Sequence, residues 1–107
     1  MQESLINSLR TAIQHGNLEQ IQLIFDEHYF QTVEPATHAS SSIKVSKATS
    51  CNFEFQLTFK EKINEDYLIS ILKRCKTNYL KTAKNTFLIK DFIDNISYNS
   101  LLMNMYH

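Results

Sequence analysis

Residues 51–59 alternate apolar and polar side chains without a break, and this alternation constrains the fold more than any other part of the chain. The apolar positions are Cys51, Phe53, Phe55, Leu57 and Phe59. Successive side chains of a β-strand point to opposite faces, so the pattern predicts a strand with one buried, aromatic face. We expect residues 43–48 to pair with it as a β-hairpin that turns near residues 48–50. This weaker strand is predicted at the sheet edge, where Lys44 and Lys47 would discourage pairing with another chain.

Two helices are predicted before this hairpin. Apolar residues recur at helical spacing over residues 3–15 and again over residues 18–30. Gly16 suits the left-handed backbone that ends a helix, and Asn17 suits the N-cap of the next one. Because the connection is short, the two helices are expected to form an antiparallel helical hairpin, followed by a connector over residues 31–42.

The turn of this helical hairpin carries a family resemblance. Residues 12–21 resemble the A-x-x-x-G-N-L-E-x-I stretch of an ankyrin repeat, and Leu23 and Ile24 follow it. An ankyrin repeat has about 33 residues and stacks in at least three copies, whereas this sequence has no second copy and no T-P-L-H signature. The resemblance therefore implies one helical hairpin rather than an ankyrin array. A DNA-binding helix-turn-helix is disfavoured because the second helix contains acidic residues and no Lys or Arg.

The C-terminal part of the chain, residues 64–106, is predicted to be mainly helical. Asn64 suits an N-cap, and the apolar spacing favours a third helix that extends to about residue 83. Residues 86–89 fit either a third strand or the start of a helix, and we favour the strand because an aromatic hairpin needs another neighbour. The sequence thus predicts a single α+β domain, with helices packed on one face of a small antiparallel sheet of two or three strands.

Residues with catalytic or metal-binding potential are few. A single glycine cannot build a glycine-rich phosphate loop or a nucleophile elbow. Cys51 and Cys75 lie on predicted apolar faces, which is typical of free buried thiols. The four histidines show no metal-binding or catalytic spacing. We therefore expect no enzyme activity, no metal and no cofactor.

The zero net charge hides an uneven distribution of charge. Residues 1–36 contain five acidic side chains and one basic one, Arg10. Residues 73–90 contain no acidic side chain and six cations, which are Lys73, Arg74, Lys76, Lys81, Lys84 and Lys90. We predict that these cations bind an acidic partner protein. The alternatives are nucleic-acid binding, with Tyr79 and Phe87 stacking on bases, and a solvated helix face whose charges pair within the chain.

Protein–protein interaction is the leading functional hypothesis. Nine Asn, eleven Ile and nine Lys against two Arg are typical of an AT-rich bacterial or phage genome, where a small domain often acts as an effector, inhibitor or adaptor. No segment approaches the roughly 20 apolar residues of a membrane span, and no secretory signal is recognisable. We expect a cytoplasmic protein, in its own cell or in a host cell if it is a secreted effector. We also favour a homodimer, formed through the sheet edge or through a C-terminal apolar stripe that comprises Tyr98, Leu101, Leu102 and Met105.

Overall fold

The computed structural model describes residues 2–30, 40–49 and 52–91, together with Asn99 and Met103. In chain order its elements are α1 (Gln2–Gln14), α2 (Leu18–Leu23) with a π-helical continuation (Ile24–Tyr29), β1 (Ser41–Ala48), β2 (Phe53–Phe59), α3 (Glu65–Arg74), β3 (Asn78–Ala83) and β4 (Thr86–Asp91). Within these residues, four strands form one antiparallel sheet in the order β1-β2-β4-β3. The predicted α+β class is confirmed, and β1 lies at a sheet edge as expected.

The end of α1 is formed as the sequence indicates. Gly16 has a φ of 63°. Its N–H donates to the carbonyl of Ile13 at 3.1 Å, and the N–H of Asn17 donates to the carbonyl of Ala12 at 2.9 Å. These two bonds form a Schellman motif, which satisfies the last carbonyls of the helix. The Asn17 side chain then accepts from the N–H of Gln20 and caps α2.

One face of the sheet is buried beneath the helices. The side chains of Phe53, Phe55, Leu57 and Phe59 of β2 are buried, and the intervening residues of the strand are more exposed. They join Phe87 and Ile89 of β4 and apolar residues of all three helices in one core. The alternation that dominates the sequence therefore builds the centre of the hydrophobic core, and the fold has two layers.

The π-helical continuation of α2 closes the core at one end. Its wider turn buries Phe25, Tyr29 and Phe30 together. The rings of all three lie between 5.8 and 5.9 Å from the ring of Phe59, measured between centroids. These three ring contacts join the N-terminal helices to the last residue of β2. Paired aromatic rings contribute more stability than the burial of their apolar area alone provides.

The prediction that the third helix extends to residue 83 is wrong, because α3 ends at Arg74. Lys76 adopts a left-handed φ of 58°. The N–H of Lys76 donates to the carbonyl of Lys73, and the N–H of Thr77 donates to the carbonyl of Leu72, so a second Schellman motif ends the helix. Left-handed backbone is uncommon at a lysine, and for that reason the sequence carries no visible stop signal here.

The strand count also differs from the prediction. The segment taken as the end of the third helix is β3, an edge strand. The ambiguous segment at residues 86–89 is indeed extended, but as β4 it pairs on both sides and lies inside the sheet. The predicted helices after residue 91 fall almost wholly outside the described residues.

Candidate functional site

The second face of the sheet is the candidate functional site, and we call it the outer face. No described helix packs against it. Cross-strand register places three rows of side chains on it. They are Lys44, Gln56, Leu88 and Leu80 in the first, Lys47, Glu54, Lys90 and Asn78 in the second, and Ser42, Thr58 and Thr86 in the third. The outer face is therefore built from all four strands and has a fixed side-chain arrangement.

A β-bulge in β1 shapes this face. The pairing register shifts between Val45 and Lys47, so Ser46 is the extra residue. Without the bulge, Lys44 and Lys47 would point to opposite faces, because side chains alternate along a strand. With it, both lysines lie on the outer face and Val45 still packs against the core.

Two leucines form the apolar part of the outer face. Leu80 of β3 lies opposite Leu88 of β4. Leu80 is 56% exposed, one of the most exposed large apolar side chains among the described residues, and Leu88 is half-buried. A single exposed leucine is ordinary, but a cross-strand pair on an open sheet face offers a partner a continuous apolar contact.

The charges of the outer face are mainly positive. Lys44, Lys47 and Lys90 are exposed on the outer face, and Glu54 is its acidic residue. The Nζ of Lys90 lies 3.7 Å from Oε1 of Glu54. A solvent-exposed pair of this kind contributes about 0–1 kcal/mol and leaves most of the positive potential in place. The outer face thus has an apolar pair toward the β3 edge and exposed lysines on β4 and on the β1 edge.

The six predicted partner-binding cations do not form one surface. Lys73 and Arg74 lie in the last turn of α3, and Lys76 follows in the turn to β3. Lys81 and Lys84 lie near the opposite end of α3, where Nζ of Lys81 contacts Oε1 of Glu65 at 2.6 Å. Of the six, Lys90 belongs to the outer face. The cluster in the sequence therefore separates into at least three places in the fold.

The aromatic residues proposed to stack on bases are not available for that purpose. Phe87 is fully buried in the core, and Tyr79 is half-buried and packs against it. Both project to the helix-covered face, because their partners across the strands are Leu57, Lys81 and Ile89. The expectation of a stacking surface for nucleic acid at Tyr79 and Phe87 is wrong for this reason.

Cys75 is a buried structural thiol. Its side chain is fully buried, it forms no disulfide, and Sγ lies 3.8 Å from the carbonyl oxygen of Ile6. Burial raises the pKa of Cys75 to about 11, although Arg10 and Arg74 act in the opposite direction. The guanidinium of Arg10 donates to the carbonyl of Cys75 and lies 3.8 Å from Oδ2 of Asp91. A protonated, inaccessible thiol is a poor nucleophile. Cys51 lies outside the described residues.

The other candidate ligands are dispersed. His15 and His28 are exposed on the N-terminal helices, and His38 and His107 lie outside the described residues. Among the described residues, no group of three or more His, Cys, Asp or Glu side chains could hold a metal ion.

The clefts of the described surface are open to solvent. One of about 430 Å³ lies between α1 and the start of α2 and is lined by Ser8, Thr11 and His15 among others. A wider groove of about 1240 Å³ runs along residues 60–66 toward the β3–β4 turn. Small-molecule sites enclose most of the ligand surface, whereas both of these clefts are open to solvent.

Leu80 and Leu88 are the residues that sequence reasoning missed. The helical interpretation of residues 64–83 gave Leu80 no role, because it does not lie on the apolar stripe of that helix. The sequence signal for a β-hairpin here was the pair Lys84-Asn85. It forms the two-residue turn between β3 and β4, and Asn85 adopts a left-handed φ of 58°. The predicted dimer residues Tyr98, Leu101, Leu102 and Met105 lie outside the described residues.

Comparison with known proteins adds no assignment. No protein-family model matches the chain, and neither the curated proteins nor the solved structures contain a significant match. None of the described helices is both long and apolar enough to cross a membrane.

Proposed function

We propose that this chain is a non-enzymatic protein–protein interaction module, and that its outer face binds an acidic partner protein. It acts by occupying the surface of that partner, as an inhibitor or an adaptor does. The observation that carries the proposal is the leucine pair, Leu80 and Leu88, on a sheet face that no described helix covers. Lys90 lies two residues from Leu88 on β4, and Lys44 and Lys47 lie across the same face on β1.

The chemistry of the outer face defines the partner. The leucines require an apolar side chain opposite them, and Lys44, Lys47 and Lys90 favour carboxylates around it. An apolar contact gives affinity when it is desolvated, and the charges at the border increase the association rate and select the partner. A protein surface with one or two apolar side chains among Asp and Glu satisfies both demands.

Nucleic acid fits this face less well. The outer face has no arginine and no aromatic side chain, whereas phosphate capture favours arginine and single-stranded nucleic acid favours aromatic stacking. A pair of leucines has no role in contacting a phosphate backbone.

Affinity purification with matched variants tests the proposal. The wild-type chain is compared with the double variant Lys44→Glu, Lys47→Glu, which reverses two exposed charges of the outer face. The control is Lys60→Glu, Lys62→Glu, which makes the same charge change in the exposed loop between β2 and α3. All three are run with and without nuclease, and the captured protein is identified and titrated against each.

The proposal expects one protein, captured with nuclease present, that binds the wild type and the loop control with one saturable stoichiometry. We expect the outer-face variant to lose at least ten-fold in affinity. Equal binding by all three variants, or a complex that nuclease removes, would contradict the proposal. Co-purification of nucleic acid, with an affinity that falls steeply as the salt concentration rises, would support nucleic-acid binding instead.

A further inference from the structure

We propose that two copies of this chain associate through the edge of β3 that no described strand covers, which joins their sheets into one continuous antiparallel sheet. This inference goes beyond the binding of a different protein and does not depend on it. The earlier expectation of a homodimer placed the contact at the β1 edge or at a C-terminal stripe, and the described geometry favours β3 instead.

The two edges of the sheet differ in how they are protected. At β1, a bulge interrupts the strand, two lysines project from it, and its first residue is hydrogen-bonded to the π-helical continuation of α2. There, the N–H and the hydroxyl of Ser41 both donate to Oδ1 of Asp26 at 2.7 Å. Bulges, lysines and coverage by a neighbouring element are the devices that keep edge strands from pairing. The β1 edge is therefore poorly suited to a second chain.

The β3 edge has much less protection. Residues 78–81 pair with β4 in regular register, the register shifts only beyond them, between Lys81 and Ala83, and no described strand lies on their other side. Five of the six side chains of β3 are exposed, and the sixth, that of Tyr79, is half-buried. The single charge of the strand, Lys81, is engaged by Glu65 at 2.6 Å. An accessible strand whose charge is already paired within the chain is suited to add a further strand.

Helix α3 carries opposite charges at its two ends, which makes a stripe of its surface complementary to the same stripe of a second copy. Glu65, Ile69 and Lys73 are spaced four residues apart, so they form one stripe along the helix. The contact between Glu65 and Lys81 places this stripe on the β3 side of the helix. The stripe runs from an acidic end through a half-buried apolar residue to a basic end.

An antiparallel pair of β3 strands is related by a two-fold axis perpendicular to the sheet. Such an axis places the two α3 helices on the same side of the joined sheet and makes them antiparallel. The acidic end of each stripe then approaches the basic end of the other, and Glu65 of one copy faces Lys73 of the second. A register that pairs Leu80 with its own copy also sets Tyr79 opposite Lys81, so the two Lys81 side chains are diagonal rather than direct cross-strand neighbours. The outer faces remain open, side by side.

Sedimentation equilibrium tests the dimer on the full chain. We expect a mass of twice 12.5 kDa at micromolar concentration. Lys73→Glu sets like charges opposite each other twice per dimer, and we expect its dimer dissociation constant to rise at least ten-fold. The matched control Lys44→Glu makes the same charge change at the opposite sheet edge, and its dimer constant should stay within two-fold of the wild type. A wild type that remains a monomer at several hundred micromolar would overturn the proposal, and so would a dimer that Lys73→Glu leaves intact.

Disulfide trapping gives a second, independent measurement. Leu80→Cys and Lys44→Cys are prepared in a Cys51→Ser background and oxidised. Paired residues of adjacent strands lie within reach of a disulfide. We expect Leu80→Cys to give a covalent dimer on a non-reducing gel and Lys44→Cys to stay monomeric. Trapping at Lys44 rather than at Leu80 would move the interface to β1 and refute the proposal.

Discussion

Replacement of Phe55 by alanine tests the two-layer architecture most severely. Phe55 is fully buried at the centre of β2, between Val45 of β1 and Ile89 of β4. Its ring stacks on Phe53 with centroids 5.5 Å apart. Removal of a buried phenylalanine side chain costs about 3–5 kcal/mol, which includes the cavity that it leaves. Because a domain of this kind is stable by about 5–15 kcal/mol, Phe55→Ala should remove a large share of the stability.

The adjacent residue provides the control. Glu54 lies on the outer face, where Oε1 is 3.7 Å from Nζ of Lys90. Glu54→Ala should therefore change the free energy of unfolding by less than about 0.5 kcal/mol.

Urea denaturation followed by circular dichroism measures both variants. With an m value of about 2 kcal/mol per molar, the midpoint of Phe55→Ala should fall by about 2 M and that of Glu54→Ala by no more than about 0.3 M. Comparable midpoints for the two variants would refute the assignment of opposite faces. The outer face would then lose its structural basis.

Three further predictions concern the thiol and two local contacts. Cys75 should react with a thiol reagent much more slowly in the native protein than in urea. Because burial raises its pKa from 9.0 to about 11, the stability contributed by the neutral thiol is complete below pH 9 and is lost as the pH rises from 9 to 11. Unfolding titrations of Cys75→Ala should lack this contribution. Asn64→Ala removes the side-chain bond to the N–H of Tyr67 at 3.1 Å and should lower the stability by about 1 kcal/mol in the same assay. Asp26→Ala leaves the buried Ser41 without its acceptor and should cost about 1–3 kcal/mol, whereas a cost near zero would show that this contact does not fix β1.

The elements that the sequence predicts well are those whose local signals agree with their tertiary environment. In β2, strict alternation coincides with burial of one face, so periodicity alone identifies the strand and its inner side. At the end of α1, Gly16 is both the residue that favours a left-handed φ and the residue that has one. Local propensity and fold point to the same structure in both places.

The failures arise where a residue with no local preference adopts a special conformation. Lys76 ends α3 in the left-handed region, where a lysine is unusual, so the apolar spacing of Leu68, Ile71 and Leu72 was extended into β3. The left-handed conformation of Lys76 accompanies the long-range pairing of β3 with β4, and the residues around Lys76 carry no local signal for it. The outer face could not be predicted for the same reason, because Leu80 and Leu88 become neighbours only through the register of β3 and β4.

The exposure of leucine methyl groups, free and in complex, tests the central claim most directly. In the free protein, a soluble paramagnetic agent should strongly relax the methyl signals of Leu80 and leave those of the buried Leu57 and Leu72 unaffected. When the acidic partner captured by the wild-type chain is added, the account predicts that the Leu80 and Leu88 methyl signals shift and that the Leu80 methyls become protected. Unchanged relaxation of Leu80 in the saturated complex, with shifts confined to α1 and α2, would contradict the assignment of partner binding to the outer face.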